Sequence, residues 1–340
     1  MTVFQIEDRD VPRILITERL AEVGIDLMRR ELPEALIDER FVLAPAQLRA
    51  VIGGYTALII RSETRITDDL LAAAPHLQVI GRAGSGVDNI DLEAAGRRGV
   101  LVVHAPRGNV LAAAEHTMAL LFALARHIPT ASRSLKAGMW EKSRFLGVEL
   151  SNKTLGILGL GRVGREVAKR ALAFSMRVLA FDPFVSVEQA PRAGVTMRSL
   201  AEVLRQADFV TLHATLPSDS HGAAKLIGAQ ELSLLKPGAY LVNCARGSLI
   251  DEAALLAALE QGRLAGVALD VFSQEPIGDD AVLRRLLAHK CVIATPHLGA
   301  STREAQARVA MEIARNVVSA LRGETLIGAV PPFFALTRPM

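Results

Sequence analysis

The chain has 340 residues, enough for two domains with substantial cores. Its formal net charge of +3 is too small to indicate nucleic acid as a partner. The only cysteines, Cys244 and Cys291, have a spacing that fits neither a disulfide framework nor a zinc site. Residues 1–13 lack an apolar signal core, and the longest apolar run, 118–125, is far shorter than the ~20 residues that span a bilayer. We therefore expect a cytoplasmic protein that binds neither a membrane nor a metal.

Short aliphatic and β-branched runs alternate with Ala- and Leu-rich helical patterns along the chain. Strands this apolar are typical of parallel sheets covered on both faces, so the predicted fold class is α/β. Ten strands are predicted, at residues 13–17, 57–60, 78–80, 100–103, 154–158, 177–181, 209–212, 239–243, 266–269 and 292–295. Ten strands exceed one mononucleotide-binding unit, and we therefore expect two doubly wound parallel sheets.

Two long helical patterns bear on how these sheets are connected. Residues 109–126 form an apolar pattern suited to a helix that runs between the domains. The last helix, over about residues 302–321, is followed by no strand of the second sheet. We expect this helix to return to the first domain and pack there.

A glycine-rich fingerprint, Gly-Leu-Gly-Arg-Val-Gly at residues 159–164, follows a predicted strand and precedes a helix that starts at about Arg162. In a dinucleotide-binding turn, Gly159 would permit the tight turn, Gly161 would let the backbone approach the pyrophosphate, and Gly164 would let helix and strand pack closely. The helix N-terminus would supply N–H groups and a partial positive charge to the phosphates. The strand, turn and helix together predict a dinucleotide site.

Asp182 indicates which dinucleotide is bound. It ends the next predicted strand, where such folds carry a ribose-binding acid. Its carboxylate is suited to accept hydrogen bonds from ribose hydroxyls and would repel a 2′-phosphate. Pro183 and Phe184 supply no compensating positive charge, so NAD is favoured over NADP.

Three polar residues follow in order: Arg246, Glu275 and His297. Hydride transfer at C2 of a 2-hydroxy acid requires a base for the hydroxyl proton, a group that orients the base, and a cation for the carboxylate. Histidine titrates near neutral pH, glutamate can orient its second ring nitrogen, and the arginine fork matches a carboxylate. Each residue alone has a structural explanation, but the three in this order favour catalysis. Asp270, which ends another predicted strand, is expected to face the nicotinamide amide.

Five segments resemble the D-isomer-specific 2-hydroxyacid dehydrogenases, and the resemblance covers essentially the whole chain. They are residues 80–91, 158–168, 242–247, 268–272 and 296–302. Within the family, the resemblance is greatest to members that oxidise a phosphorylated acid. It implies that Arg246 binds substrate and that His297 is the acid–base group with Glu275 behind it.

The resemblance also implies a domain arrangement. A Rossmann NAD-binding domain, residues 107–297, would be inserted into a flavodoxin-like substrate-binding domain formed by residues 1–106 and 298–340. Residues 138–142 resemble the family's dimer arm, which implies a homodimer or a homotetramer. Besides the three glycines, the implied cofactor contacts are Arg162, Val163, Asp182, Cys244, Ala245, Asp270, Gly299 and Ala300.

Substrate choice rests on fewer residues. Arg61 and Arg82 resemble positions that phosphoglycerate-oxidising members present to the substrate phosphate, and two arginines suit a dianion. A surface salt bridge between Arg61 and Glu63 is the alternative explanation. The loop of Ser85 and Gly86 would offer backbone N–H groups to the substrate carboxylate.

The expected activity is NAD-dependent oxidation of the C2 hydroxyl of a small D-2-hydroxy acid, with D-3-phosphoglycerate, a precursor of serine, favoured. Reduction of hydroxypyruvate or glyoxylate by the same chemistry is the alternative. A third interpretation is a dinucleotide-sensing corepressor, because one branch of the family keeps the Arg, Glu and His. The short tail and the lack of a strongly basic segment argue against it.

Three features depart from the family pattern. His104-Ala105-Pro106 replaces the usual Asn-x-Pro, and we expect His104 to end a strand rather than touch substrate. The loop after His213 lacks proline at its customary place and is lengthened around residues 223–225. The chain stops at Met340, so serine feedback through a C-terminal regulatory domain is not expected.

Overall fold

The computed structural model describes residues 11–185, 194–214, 225–325 and 328–330. Within these residues the chain divides into two compact units. Unit 1 contains the residues up to Asn109 and from Thr302 onward, and unit 2 contains those within Val110–Ser301. The sequence predicts boundaries after residues 106 and 297. The assignment of substrate binding to one part and cofactor binding to the other stays a prediction.

Unit 1 is built on a five-stranded parallel sheet. Its strands are β1 (Arg13–Ile16), β2 (Leu36–Glu39), β3 (Ala57–Ile60), β4 (Val79–Arg82) and β5 (Leu101–His104). They lie in the order β2-β1-β3-β4-β5, and every neighbouring pair is parallel. This is the flavodoxin-like order of a doubly wound sheet.

Helices cover both faces of this sheet. They are α1 (Glu22–Glu31), α2 (Pro45–Val51), α3 (Asp68–Ala72), α4 (Leu92–Arg97) and α12 (Arg303–Leu321). Side chains of β1 point alternately to the two faces of the sheet. Ile14 and Ile16 pack in the hydrophobic core beneath α1 and α12, and Leu15 packs in the core on the other face. The long helix α12 packs against α1, β4 and β5. The last helix thus returns to unit 1, as the sequence predicts.

Unit 2 is built on a seven-stranded parallel sheet. Its strands are β6 (Thr154–Leu158), β7 (Arg177–Phe181), β8 (Val195–Met197), β9 (Phe209–Leu212), β10 (Ala239–Asn243), β11 (Leu264–Leu269) and β12 (Val292–Ala294). They lie in the order β12-β11-β10-β9-β6-β7-β8. The direction of winding reverses between β6 and β9, and ligands of such sheets bind outside the carboxyl ends of the strands at this point.

The helices of unit 2 include the long apolar helix predicted from the sequence. They are α5 (Val110–Ala125), α6 (Ile128–Lys136), α7 (Arg162–Ala173), α8 (Leu200–Gln206), α9 (Ala229–Leu234), α10 (Glu252–Glu260) and α11 (Ala281–Ala288). Helix α5 packs against α7, β10 and β11, which accounts for its apolar character on several sides. None of the helices in the described part of the chain has the length and apolar character that crossing a bilayer requires.

The predicted α/β class with two doubly wound parallel sheets is confirmed. The prediction of ten strands is wrong, because the described residues form twelve. The missed strands, β2 and β8, are the outer strands of their sheets. β2 is partly exposed along its length and β8 has only three residues, so neither carries the continuous apolar run of a central strand.

Candidate active site

The turn between β6 and α7 has the shape that the glycine fingerprint predicts. Gly159 has a φ of 98°, a conformation that side chains disfavour. A Cβ on Gly164 would lie 2.1 Å from the carbonyl oxygen of Gly159, so helix and strand meet more closely than any other residue permits. A Cβ on Gly161 would meet no atom within 4 Å, and the backbone there borders open space.

The N-terminus of α7 faces this open space without a side-chain cap. Gly161 is the N-cap residue and has no side chain that could accept a hydrogen bond from the first turn. The N–H groups of Arg162 and Val163 therefore combine with the partial positive charge of the helix end. This arrangement fits the pyrophosphate of a dinucleotide.

Asp182 lies beside the same turn, directly after β7. Its Oδ2 accepts a hydrogen bond from the Leu160 N–H at 2.7 Å, and its Oδ1 accepts one from the Phe184 N–H at 2.8 Å. Each carboxylate oxygen keeps a further lone pair for a hydroxyl group. Asp182 therefore braces the glycine turn and keeps the capacity to bind a ribose, a contact that stays a prediction.

A buried amide fixes the loop that carries Arg246. Asn243, the last residue of β10, is 1% exposed. Its Nδ2 donates to the Arg246 carbonyl oxygen at 2.8 Å, and its Oδ1 accepts from the Ala245 N–H at 3.0 Å. The loop backbone at the end of β10 is thereby set, and Arg246 leaves the sheet at its carboxyl edge, where ligands of such folds bind.

His297 and Glu275 form a close pair. His297 Nδ1 lies 2.6 Å from Glu275 Oε2, and the two side chains are 45% and 35% exposed. Because a carboxylate only accepts hydrogen bonds, Nδ1 carries the hydrogen and the other ring nitrogen, Nε2, is left to exchange a proton with a ligand. Partial exposure leaves the pair accessible to a small molecule.

The Glu275 carboxylate is held in its ionised form. Burial raises its pKa, but hydrogen bonds from His297 and from the Phe272 N–H, the latter at 2.9 Å, outweigh burial and lower the pKa overall. A charged carboxylate favours the imidazolium that forms when the ring takes up a proton. Glu275 thus orients the ring and stabilises its charged state.

The backbone of His297 is strained and is held by Asp270. His297 has a φ of 53°, uncommon for a residue with a side chain, and its N–H donates to the Asp270 carbonyl oxygen at 2.9 Å. The Asp270 carboxylate is fully buried and accepts the N–H groups of Leu298 at 2.7 Å and Gly299 at 2.8 Å. Asp270 therefore sets the turn that presents the histidine ring.

Two further residues, His116 and Thr295, complete the surroundings of Asp270. Its Oδ1 accepts the Thr295 hydroxyl at 2.6 Å and lies 3.2 Å from Nε2 of His116 on α5. Burial raises the pKa of Asp270, but these two side chains and the Leu298 N–H outweigh burial and lower it. The predicted contact between Asp270 and the nicotinamide stays a prediction, since the structure shows its carboxylate engaged within the protein.

Neither His116 nor Thr295 was singled out from the sequence. A signal for His116 exists, because it is the one histidine in an otherwise Ala- and Leu-rich helix. No comparable signal marks Thr295, which merely follows β12.

Cys244 lies close to His116 and Asp270. Its sulfur, a ring nitrogen of His116 and an Asp270 oxygen all lie within 4.8 Å of one another. Burial raises the pKa of Cys244 to about 12, so it is a neutral thiol in this structure. The Asp270 carboxylate of this group is engaged by hydrogen bonds from Thr295, Leu298 and Gly299.

In unit 1, the predicted substrate residues lie at the carboxyl ends of neighbouring strands. Arg61 follows β3 and Arg82 ends β4. The Ser85 carbonyl oxygen lies 2.8 Å from Nδ1 of His104, and the Ser85 hydroxyl accepts the Asn109 amide at 3.3 Å. His104 ends β5, as predicted. Binding of substrate by Arg61, Arg82, Ser85 and Gly86 stays a prediction.

The predicted departure in the loop after His213 lies outside the described residues, apart from Ala214 and Lys225. His213 itself follows β9, with its Nε2 3.0 Å from the Thr211 hydroxyl. Loss of hydration lowers the pKa of His213 to about 3, so its ring is neutral.

Fold and site together define an α/β protein with a dinucleotide-binding turn and a His–Glu pair at the carboxyl edge of one sheet. The sequence profile described as D-isomer specific 2-hydroxyacid dehydrogenase, NAD binding domain matches residues 118–299. The chain belongs to the D-isomer specific 2-hydroxyacid dehydrogenase family. The expected cofactor, NAD, is confirmed by this NAD-binding domain.

Known proteins resemble the chain in sequence and in structure. D-3-phosphoglycerate dehydrogenase of Synechocystis sp. is 44% identical over 311 residues, which are 92% of this chain and 54% of that protein. A protein of Thermus thermophilus superposes with a TM-score of 0.83 at 35% identity, covering 94% of this chain and 99% of the other. D-Lactate dehydrogenase of Aquifex aeolicus, solved with NAD and lactic acid, gives a TM-score of 0.81 at 28% identity, covering 92% and 96%. The chain spans about half the length of the first-named relative.

Proposed function

We propose that the chain is an NAD-dependent dehydrogenase that oxidises the C2 hydroxyl of D-3-phosphoglycerate to give 3-phosphohydroxypyruvate, a step of serine biosynthesis. The observation that carries this proposal is the 2.6 Å contact between His297 Nδ1 and Glu275 Oε2, in a unit that also carries the glycine turn. The name of the Synechocystis relative supports the choice of substrate.

The side chains divide the chemistry among them. Nε2 of His297 takes the proton of the C2 hydroxyl, and the Glu275 carboxylate stabilises the resulting imidazolium. Arg246 binds the substrate carboxylate with its permanently charged fork. Bound NAD supplies the acceptor for the hydride that leaves C2. The products are a 2-oxo acid, NADH and one proton, which His297 passes to solvent.

Recognition of the phosphate is assigned to Arg61 and Arg82. Two guanidinium groups suit a phosphate dianion better than a single cation does. Within the described part of the chain, no ion pair joins Arg61 to Glu63, so the alternative of a surface salt bridge between them has no support. Backbone N–H groups near Ser85 and Gly86 are proposed to bind the carboxylate end of the substrate.

The test compares initial rates on three substrates. NAD reduction is followed with D-3-phosphoglycerate, and NADH oxidation is followed with hydroxypyruvate and with glyoxylate. We expect selective turnover of the phosphorylated acid, and we expect Arg61→Ala to raise KM for that acid alone. Equal or faster turnover of the unphosphorylated acids would instead favour a hydroxypyruvate or glyoxylate reductase. No turnover of any hydroxy acid would favour a dinucleotide-sensing protein.

We further propose a homodimer or homotetramer that assembles through α6 and the segment after it. This part of unit 2 exposes several large apolar side chains, a pattern typical of interfaces. They are Ile128, Leu135, Met139, Trp140 and Leu146. Light scattering should give a multiple of the chain mass, and Trp140→Asp should reduce it while Val42→Asp, at an exposed apolar residue of unit 1, should not. A monomeric wild-type protein would contradict this proposal.

The proposed location is the cytoplasm. NAD and phosphorylated three-carbon acids, the cofactor and the proposed substrate class, are both present there. Cell fractionation with an antibody to the chain tests this location, and recovery in any other fraction would contradict it.

A further inference from the structure

A single carboxylate in unit 1 accepts hydrogen bonds from the backbone N–H groups of the loop that follows β3. Glu18 lies just beyond the end of β1, and its Oε1 accepts the N–H groups of Arg61 at 2.8 Å and Thr64 at 3.0 Å. Its Oε2 accepts those of Ser62 and Glu63, both at 3.1 Å. Four successive backbone N–H groups thus converge on one side chain.

The carbonyl groups of the same loop are held by a second side chain, Asn89. Its Nδ2 donates to the carbonyl oxygen of Arg61 at 2.9 Å and to that of Thr64 at 2.7 Å. The Thr64 hydroxyl adds a 2.9 Å contact with the hydroxyl of Thr17. Side chains outside the loop therefore satisfy both its donors and its acceptors at the two ends.

The loop lacks an apolar anchor of its own. Ser62 and Glu63 are exposed, and Arg61 and Thr64 are partly exposed. With no buried side chain to fix it, the conformation of residues 61–64 depends on the hydrogen bonds to Glu18 and Asn89. Those bonds decide where the Arg61 side chain leaves the backbone.

Successive N–H groups that point to one side form a concavity that binds anions. In this loop the bound anion is the Glu18 carboxylate of the protein itself. Burial raises the pKa of Glu18, but the N–H groups of Thr64, Arg61 and Glu63 outweigh burial and lower it, so the carboxylate stays charged. The backbone N–H groups are consequently occupied, so the loop can bind an external anion only through its side chains, of which Arg61 carries the only positive charge.

We propose that Glu18 is a positioning residue that holds the loop of residues 61–64 so that Arg61 binds the substrate phosphate, and that it takes no part in the proton or hydride transfer. This inference rests on the proposed function, because it concerns the phosphate of the proposed substrate. If it is right, substitution of Glu18 changes KM for the phosphorylated acid and leaves kcat unchanged.

The experiment compares Glu18→Gln with Glu63→Gln. Glutamine offers one acceptor oxygen and places an amide N–H₂ against backbone donors, so the loop should loosen. Glu63→Gln makes the same change of charge in the same loop as Arg61. It leaves the Glu18 carboxylate, which accepts the N–H groups of the loop, unchanged. We expect Glu18→Gln to raise KM for D-3-phosphoglycerate about tenfold, the effect of losing ~1.4 kcal/mol of binding, with kcat unchanged. KM for hydroxypyruvate in the reverse direction should not change in either variant.

Hydrogen exchange supplies a readout that does not depend on substrate. The amides of residues 61–64 should exchange faster in Glu18→Gln than in Glu63→Gln or the wild type. If Glu18→Gln does not fold, Glu18→Asp, which keeps the charge at a shorter reach, takes its place. The same selective rise in KM is then expected, and an unchanged KM would overturn the inference.

Arg61→Ala, measured in parallel, separates this inference from the proposed function. If Arg61→Ala raises KM for the phosphorylated acid and Glu18→Gln does not, the inference alone is overturned. If Arg61→Ala has no effect, phosphate recognition by Arg61 is wrong and the inference falls with it. A fall in kcat on both substrates in Glu18→Gln would show a general structural role and would also overturn the inference.

Discussion

His297 Nδ1 and Glu275 Oε2 lie 2.6 Å apart although the two residues follow different strands, β12 and β11. The two strands are neighbours and parallel, so both loops leave the sheet at the same edge. The pair thus follows from the sheet topology, and it lies in the unit that matches the NAD-binding domain.

Glu275→Gln keeps a hydrogen-bond acceptor at this position but removes its charge. Hydrogen bonds to charged groups contribute ~1.5–3 kcal/mol against ~0.5–1.5 for neutral ones, so the variant should lose roughly tenfold in kcat. Because the pKa of Glu275 is lowered, the difference from wild type should persist into mildly acidic solution and vanish only when Glu275 takes up a proton. Steady-state kcat over a pH series measures both effects. Glu260→Gln, on the surface at the end of α10, is the control, and equal kcat for wild type and Glu275→Gln would contradict the role of the carboxylate.

Asp270→Asn should lower both stability and kcat. An amide in this buried position must turn a donor toward at least one of the N–H groups that Asp270 now accepts, which costs ~1–3 kcal/mol of unfolding free energy. Displacement of the strained His297 turn should lower kcat as well. Urea denaturation and steady-state kinetics measure the two quantities. Asp280→Asn, at the N-cap of α11, is the matched control, because Asn caps a helix as well as Asp does. An unchanged kcat in Asp270→Asn would argue against positioning of His297.

Asp182→Ala should weaken NAD binding and relax the choice of coenzyme. Loss of hydrogen bonds from ribose hydroxyls to a charged acceptor amounts to ~1.5–3 kcal/mol, which is about 10- to 100-fold in KM for NAD. Removal of the negative charge should also permit measurable use of NADP. Asp182→Asn removes the charge but keeps a side-chain oxygen that accepts the Leu160 N–H. Comparison of this variant with Asp182→Ala therefore distinguishes loss of the charge from loss of the hydrogen bond that holds the turn. Equal KM values for NAD in wild type and Asp182→Ala would contradict the ribose contact.

Glu18→Gln should change how stability depends on pH. The pKa of Glu18 is lower in the folded protein than in the unfolded chain, so the carboxylate stabilises the fold at neutral pH, and this stabilisation is lost as the pH falls through the folded-state pKa. We expect Glu18→Gln to lower the unfolding free energy by ~1–3 kcal/mol at neutral pH and by less in acid. Urea titrations at both pH values test this, and a difference that does not narrow in acid would contradict it.

The fold was predictable where the pattern of apolar residues is continuous. Central strands such as β3 and β10 are buried along their whole length, so their sequences carry an unbroken apolar signal. The outer strand β2 pairs on one side only, and its sequence, Leu-Ile-Asp-Glu, lacks such a signal. Edge strands are stabilised by pairing with a neighbour that lies elsewhere in the sequence, which a local pattern does not report.

The site was predictable where a residue belongs to a motif with a chemical purpose. Motifs of this kind predict the glycine turn and the contact between Glu275 and His297, both of which the structure contains; the roles of these residues stay predictions. His116, which contacts Asp270, and Glu18, which contacts the loop of residues 61–64, were not predicted, because each makes its contacts with segments far away in the sequence. A local motif does not record which distant backbone N–H or carboxylate a polar side chain meets in the folded chain.

The measurement that tests the central claim most directly is NADH formation from D-3-phosphoglycerate and NAD by the wild type and by His297→Asn. The wild type should form NADH, and His297→Asn should lose about 10²- to 10⁴-fold in kcat, the usual contribution of a general acid–base group. NADH binding, followed by its fluorescence, should be the same in both proteins. No NADH formation by the wild type, or a kcat for His297→Asn close to that of the wild type, would contradict this account.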